Sequence, residues 1–314
     1  MSRNDDARRL DRRTVLKCMA WAGTGVVWTV AGGVPRSAGL IGAARAAAPG
    51  GFTFVQISDS HIGFNKEANP DVGATLRSAV EAINALPERP AFVVHTGDVT
   101  HLSKPAEFDD ADQLLRGLKA GPVHAVPGEH DVLDEGGTAF RGRYARESRG
   151  AGWYSLDEGG VHFLALVNVV DLKAGGLGNL GEEQLAWLED DLRGRSASTP
   201  IVVLAHIPLW SVYPEWGWGT ADSEQALAAL RRFGSVTVLN GHIHQAMQKV
   251  EGTIAFHTAM STAFPQPAPG AAPSPGPMKV PADRLRRVLG ISRVEYVPGK
   301  APLALIDAPL AGGA

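Results

Sequence analysis

The sequence predicts an α/β protein in which two mixed β-sheets pack face to face with flanking helices outside, a four-layer α-β-β-α arrangement. Three observations carry this expectation. Residues 52–126 run β-α-β-α-β, the mark of parallel strands joined by crossover helices. The chain then turns to paired short strands around Glu158-Gly159-Gly160 and Glu251-Gly252-Thr253, both hairpin signals. Finally, small groups of Asp, His and Glu each follow an apolar, β-branched run, which places them at strand ends, where open α/β sheets bind ligands.

The elements follow in order. Phe52 to Ile57 reads as a strand, and Thr75 to Leu86 has helical spacing at Leu76, Val80 and Ile83, with Pro87 ending it. Ala91 to His95 is the second strand, Pro105 to Leu118 the second helix, and Val123 to Val126 the third strand. Trp153 to Leu156 and Val161 to Val167 are strands, Glu182 to Leu192 a helix with an acidic first turn, and Ile201 to Leu204 a strand. A helix from Ser223 to Phe233, strands at Val236 to Asn240, Gln248 to Val250 and Ile254 to Thr258, a helix from Ala282 to Leu289 and a strand-like Leu303 to Ile306 complete the chain.

The 314 residues are 44% hydrophobic and 20% charged, an ordinary globular composition with ample material for a core. Cys18 is the only cysteine, which excludes a disulfide framework and a cysteine-ligated zinc site within the chain. The first 48 residues hold eight of the 30 Lys/Arg and three of the 33 Asp/Glu, so the remainder is acidic by about eight charges. An acidic body lacks the basic stripe of a nucleic-acid binder, and no nucleic-acid partner is expected.

Residues 1–48 read as an export signal. Asp11-Arg12-Arg13-Thr14-Val15-Leu16-Lys17 resembles the twin-arginine signature, and Cys18 to Val34 follows without a charge. That run of 17 residues is short of the ~20 a spanning helix needs, so a cleaved signal is preferred to a retained anchor. Cleavage fits the small residues ending in Ala44-Arg45-Ala46-Ala47-Ala48. The expected location is periplasmic or otherwise exported. The export machinery is the expected partner, and membrane contact is expected only through an uncleaved signal. Residues 49–262 then form the main domain. Residues 263–314, a Pro-rich stretch with a helix and strand after it, pack on the same domain. By composition Ala263 to Pro277 suits a flexible linker; the elements after it suit an ordered loop.

The chemistry lies in Asp59-Ser60-His61, Gly97-Asp98, Gly128-Glu129-His130-Asp131, His206 and Gly241-His242-Ile243-His244. Residues two apart at a strand end face one side, so His242 and His244, and likewise Asp59 and His61, can present their side chains to one place. Carboxylates and imidazoles in one cluster suit borderline to hard divalent metals. In this order the five motifs resemble the calcineurin-like metallophosphoesterase superfamily, nearest the bacterial class that includes cyclic-nucleotide phosphodiesterases and glycerophosphodiesterases. The likeness runs from about Phe52 to Thr258.

The resemblance implies a dinuclear metal centre. Asp59, His61, Asp98 and His244 would hold one ion; Asp98, Glu129, His206 and His242 would hold the second, with Asp98 bridging. His130 would stand outside the ligand set as a proton donor or phosphate contact, with Asp131 a candidate to fix its tautomer. Two metals clamp a phosphate and make hydroxide available at neutral pH. At position 129 the family pattern has asparagine, and this chain has Glu129. The added charge makes the ligand set −3 rather than −2, weakens the pull on a phosphate and eases acceptance of a trivalent ion such as Fe(III). Iron and manganese are the expected cofactors, with zinc and cobalt as alternatives.

Phosphodiester hydrolysis of a small substrate is the leading expectation, with cyclic nucleotides or glycerophosphodiesters as the classes the resemblance suggests. Phosphomonoester hydrolysis and a catalytically weak metal-binding recognition domain are the alternatives. His95, His101, His124, His162 and His257 read as core or surface residues, though His101 is close enough to Asp98 to reach substrate. Trp210, Tyr213, Trp216 and Trp218 suit either stacking of a base or sugar or packing of a long loop.

Overall fold

The computed structural model describes residues 50–170, 172–173, 175–300 and 303–310, with two strand segments nearer the N-terminus. By its contacts the chain divides into two units, Met1–Ala43 and Ala44–Ala314. In the first, β1 (Val26–Ala31) and β2 (Val34–Gly39) form an antiparallel pair with Val26 opposite Gly39. Arg12, Arg13, Cys18 and the small-residue stretch at 44–48 lie outside the described residues. Among the described residues no helix is long and apolar enough to cross a membrane.

The second unit holds the two mixed sheets. The five-stranded sheet has the order β13-β12-β3-β4-β5, with β3 (Phe52–Ile57), β4 (Val93–His95) and β5 (Val123–Ala125) parallel. Its far edge is antiparallel, made by β12 (Gly290–Tyr296) and β13 (Ala304–Pro309). The six-stranded sheet has the order β10-β11-β9-β8-β7-β6. Its centre is β7 (Val161–Ala165), β8 (Ile201–Leu204), β9 (Val236–Asn240) and β11 (Ile254–Thr258), all parallel. Antiparallel β6 (Tyr154–Glu158) and β10 (Met247–Glu251) close its edges through the two anticipated hairpins.

Alternation along each strand builds the layers. Phe54, Val94, Val202, Leu204 and Leu239 point between the sheets into a shared core with Phe92 and Phe163. Their neighbours Val55, Ile57 and Val93 point outward against α1 (Val72–Asn84), α2 (Pro105–Leu115) and α3 (Thr138–Tyr144). On the opposite side Ile201, Val203, Val236 and Val238 meet α4 (Glu182–Leu192) and α5 (Ser223–Leu230). Local chemistry supports these helices. The Asp71 carboxylate caps α1 by accepting from the Ala74 N–H at 2.9 Å, and Pro105 opens α2 where its missing N–H costs nothing.

A polar seam joins the sheets at the ends of the parallel strands. Gln56, fully buried, donates to the Asn240 carbonyl and to Thr96 Oγ1, each at 3.0 Å, and Asn240 Nδ2 donates to the Ala205 carbonyl at 2.9 Å. The strand β12 and helix α3 had no counterpart in the sequence expectation, and α5 stops at Leu230 rather than Phe233. The stretch from Ala263 to Pro277 is an ordered loop laid against the strand ends. The Phe264 ring is buried, and the Gln245 side chain donates to the Gln266 and Pro267 carbonyls. After a short helix, α6 (Ala282–Val288), the chain returns as β12 beside β3.

Candidate metal centre

The five motifs occupy the loops just after β3, β4, β5, β8 and β9, so two sheets deliver their C-terminal ends to one place. The turns are tight. Among the described residues, the non-glycine positions with positive φ are Asp59, His61, Asp98, Ser103, His242 and His244, and five of these six were read as site residues from sequence. Left-handed backbone at bulky residues costs free energy and persists where the surroundings over-determine it. Two glycines make the close approach possible: a Cβ at Gly128 would collide with the Asp98 carboxylate, and one at Gly241 would collide with Ser58 Oγ.

The side chains converge in two sets. In one, His61 Nε2 lies 3.2 Å from His244 Nε2, which lies 3.3 Å from Asp59 Oδ1. In the other, Glu129 spans two imidazoles, with Oε2 2.9 Å from His206 Nε2 and Oε1 3.1 Å from His242 Nδ1. Asp98 Oδ2 stands between the sets, 3.5 Å from His61 Nε2 and 3.4 Å from His206 Nε2. The groups Asp59/His61/His244 and Glu129/His206/His242 each bring their ligand atoms within 4.8 Å of one another, as a metal requires.

The outer contacts fix which ring nitrogens face inward. His206 Nδ1 donates to the Thr96 carbonyl at 2.7 Å, and His244 Nδ1 donates to the Phe264 carbonyl at 2.6 Å, leaving both Nε2 atoms aimed at the cluster. The backbone N–H of His242 donates to Asp59 Oδ1 at 3.0 Å, and that of His130 donates to Asp98 Oδ1 at 2.9 Å. Asp59 Oδ2, Glu129 Oε2 and His206 Nε2 are buried without a properly oriented hydrogen-bond partner. Orphaned donor atoms of this kind, in an oxygen- and nitrogen-rich set, fit a pair of divalent or trivalent cations.

Charge is distributed to match. Burial pushes the Asp59 carboxyl up, but the His244 and His206 imidazoles outweigh it and bring it down to about 2. Burial also opposes the Glu129 carboxylate, yet His242 and His206 hold it well below the usual carboxylate range. Burial and the neighbouring His130, His244 and His101 rings keep His61 well below the histidine range, hence neutral and able to ligate. For His206 burial is outweighed by Asp98 and Glu129, which hold it well above that range; ligating a metal there would require its Nε2 proton to leave.

His130 stands beside the two sets. Its Nδ1 donates to the His101 carbonyl at 2.7 Å, so Nε2 is free toward the site. Burial lowers its proton affinity, but Asp98 and Glu129 more than restore it. The expectation that Asp131 fixes this ring is corrected. The Asp131 carboxylate instead accepts from the backbone N–H groups of Val99, Thr100 and Gly128, at 3.0, 2.8 and 3.1 Å. Burial and nearby Asp98 raise it to about 7. The turn through Glu129–Asp131 is a single 3-10 turn, which sends successive side chains to different sides.

Phe264 and Gln266 were missed, and His101 was given too small a part. His101, read as a core or surface residue with a chance of reaching substrate, stacks on His130 at 4.8 Å between ring centroids and lies 3.4 Å from His61 Nδ1 through its own Nδ1. Phe264 stacks on His61 at 4.8 Å and packs on His244 at 4.9 Å, while Gln266 donates to the His242 carbonyl at 2.9 Å. Of the aromatic loop, Trp218 is buried and meets Trp216 edge-on at 5.0 Å beside Ile243, which favours packing over base stacking. Trp210 packs against Phe256 on the helix side.

Fold and site together define a metal-dependent phosphoesterase. Residues 52–246 match the family model for calcineurin-like phosphoesterases, more than half of the chain, and the protein belongs to that family. It is thus a hydrolase acting on phosphoesters. Over 222 residues it is 28% identical to the serine/threonine-protein phosphatase CPPED1 of Danio rerio, spanning 62% of this chain and 71% of that protein. It is 25% identical to a probable cyclic nucleotide phosphodiesterase of Rhodococcus erythropolis, over 68% of this chain and 71% of that one. Among solved structures, a dimetal phosphatase from Danio rerio superposes with a TM-score of 0.60 at 15% identity, over 83% of this chain and 96% of that chain, a likeness of fold.

Proposed function

We propose that this chain is an exported phosphodiesterase with a dinuclear centre. Asp59, His61 and His244 would hold one ion and Glu129, His206 and His242 the other, with Asp98, whose Oδ2 lies between the two sets, available to both. A bound pair of such ions supplies Lewis acidity toward the phosphoryl oxygens and an activated water at neutral pH. The protein's own part is orientation and proton delivery. His130, with Nδ1 tied to the His101 carbonyl, presents Nε2 to the leaving oxygen and holds a proton there against burial. Iron and manganese suit this mixed set of carboxylates and imidazoles.

The observation that carries the diester reading is Glu129, whose carboxylate lies between His206 and His242 where the family pattern has a neutral amide. Its charge opposes a dianionic monoester more than a monoanionic diester. The test is the ratio of activity on bis(p-nitrophenyl) phosphate to that on p-nitrophenyl phosphate. Glu129→Asn and Glu129→Gln should each shift it toward the monoester by about tenfold. An unchanged ratio and unchanged metal affinity in both variants would remove Glu129 from the centre.

A monoesterase is the second reading, favoured by the likeness to proteins described as serine/threonine-protein phosphatases. Diester activity below monoester activity in the parent enzyme would establish it. Export rests on Arg12 and Arg13. Replacing both by lysine should strand unprocessed precursor in the cytoplasm, and normal processing of that variant would refute the twin-arginine route.

A further inference from the structure

The metal centre forms the floor of a cavity of about 790 Å³, far more room than a phosphate group needs. Its walls are apolar: Val132, Val170, Leu172 and Pro275 line it above the histidines. Among the described residues, Lys66 is the only Lys or Arg at its lining, and Asp134 lies there too. A ligand with several phosphates or an anionic headgroup would find one cation and further negative charge.

The mouth carries a second signal. Among the described residues the exposed large hydrophobic side chains are Leu102, Leu133, Leu177 and Val250, and the first two line this cavity at 45% and 60% exposure. Single exposed leucines are ordinary. These two share one rim, and their backbones are pinned. The Leu102 N–H donates to Glu107 at 2.7 Å, and the Leu133 N–H donates to Ser103 Oγ at 2.9 Å. Ser103 Oγ also donates to the His130 carbonyl at 2.7 Å, tying the two rim loops to each other and to the proton donor. Leu102 follows His101, and Leu133 comes two residues after Asp131, so the loops that bring the chemistry also bring the apolar rim.

We propose that the cavity accepts a phosphoester bearing an alkyl chain, as in a lipid-derived phosphodiester, with the chain running from the metal centre along Val132 and Val170 to Leu102 and Leu133. The phosphoryl group sits at the floor, and the chain buries apolar surface that the free enzyme leaves in water. This rests on the phosphodiesterase reading for the reaction but on the cavity walls for the substrate.

The test uses diesters that release the same p-nitrophenolate and differ in the second substituent: ethyl, octyl and thymidine-5′-yl. Calorimetric binding of ethylphosphonate and octylphosphonate to the metal-loaded protein accompanies it. The octyl ester should exceed the ethyl ester in kcat/KM by about 10- to 100-fold, and octylphosphonate should bind more tightly than ethylphosphonate by a similar factor. Leu102→Ser combined with Leu133→Ser should pull both ratios toward one. Inert diesters with a retained preference for octylphosphonate would overturn the phosphodiesterase reading and support the alkyl site. Hydrolysis and binding that ignore chain length, or a preference for the thymidine ester, would overturn the alkyl site and leave the reaction standing. A full octyl preference in the double variant would also overturn it, because the chain would then lie elsewhere.

Discussion

The carbonyl oxygen of His101 accepts a hydrogen bond from Nδ1 of His130 at 2.7 Å, and the two rings stack 4.8 Å apart at an interplanar angle of 17°. The backbone of one loop thereby sets the tautomer and aim of a side chain on another. His130→Ala should keep its metals and lose turnover by about 10²- to 10⁴-fold, the usual worth of a positioned acid. Metal analysis beside steady-state kinetics checks this. Unchanged turnover would remove His130 from proton delivery.

Phe264 shields the first set of donors, with its ring on His61 and His244 and its carbonyl on His244 Nδ1. Phe264→Ala removes the ring and leaves the carbonyl. Metal affinity should fall by about 10- to 100-fold, the usual effect of losing outer-shell support. The melting temperature should fall as well, since truncating a buried phenylalanine typically costs ~3–5 kcal/mol. Competitive chelator titration measures the first effect and thermal unfolding the second. An unchanged affinity would show that the carbonyl alone orients His244.

A pH-dependent contribution to stability lies away from the centre. Buried His162 contacts Asp157 through Nδ1 at 2.9 Å and Asp191 through Nε2 at 2.6 Å. Burial raises the Asp191 carboxyl, but hydrogen bonds from His162 and Ser155 and the charges of His162 and Arg195 outweigh it, so its value in the fold is lowered. A carboxyl lowered in the fold stabilises fully above its unfolded value and loses that contribution as pH falls through the folded value. Asp191→Asn should therefore lower the melting temperature by a few degrees near pH 7, about 1 kcal/mol after solvent screening of this half-buried carboxylate is allowed for. The gap should begin to narrow below about pH 4 and close as pH falls through the lowered folded value. A gap that stays constant down to pH 3 would contradict the assignment.

The sequence made the centre legible because a metal restricts its ligands to a few residue types, and strand ends hold them in fixed chain order. The two-sheet architecture followed from apolar runs and turn residues. β12 was missed because its Ile291, Val294 and Tyr296 are interrupted by Ser292, Arg293 and Glu295, whose pattern competes with a polar loop. Proline hid Phe264: composition argues for a linker, and nothing local shows that the loop folds back over two imidazoles. Asp131 misled for a geometric reason. Adjacency in sequence does not give adjacency of side chains within a 3-10 turn, and its carboxylate went to three backbone amides instead.

Asp98 Oδ2 stands between the two donor sets, 3.5 Å from His61 Nε2 and 3.4 Å from His206 Nε2, and phosphodiester cleavage is expected to need both sets loaded. The direct measurement is metal content per chain together with hydrolysis of bis(p-nitrophenyl) phosphate, for the parent and for Asp98→Asn, which keeps the side-chain size and removes the charge. The parent should carry two ions per chain, and the variant should lose metal with a fall in rate of at least about 10³-fold. A variant that retains two ions and the parental rate, or a parent that hydrolyses the diester with a single ion bound, would contradict it.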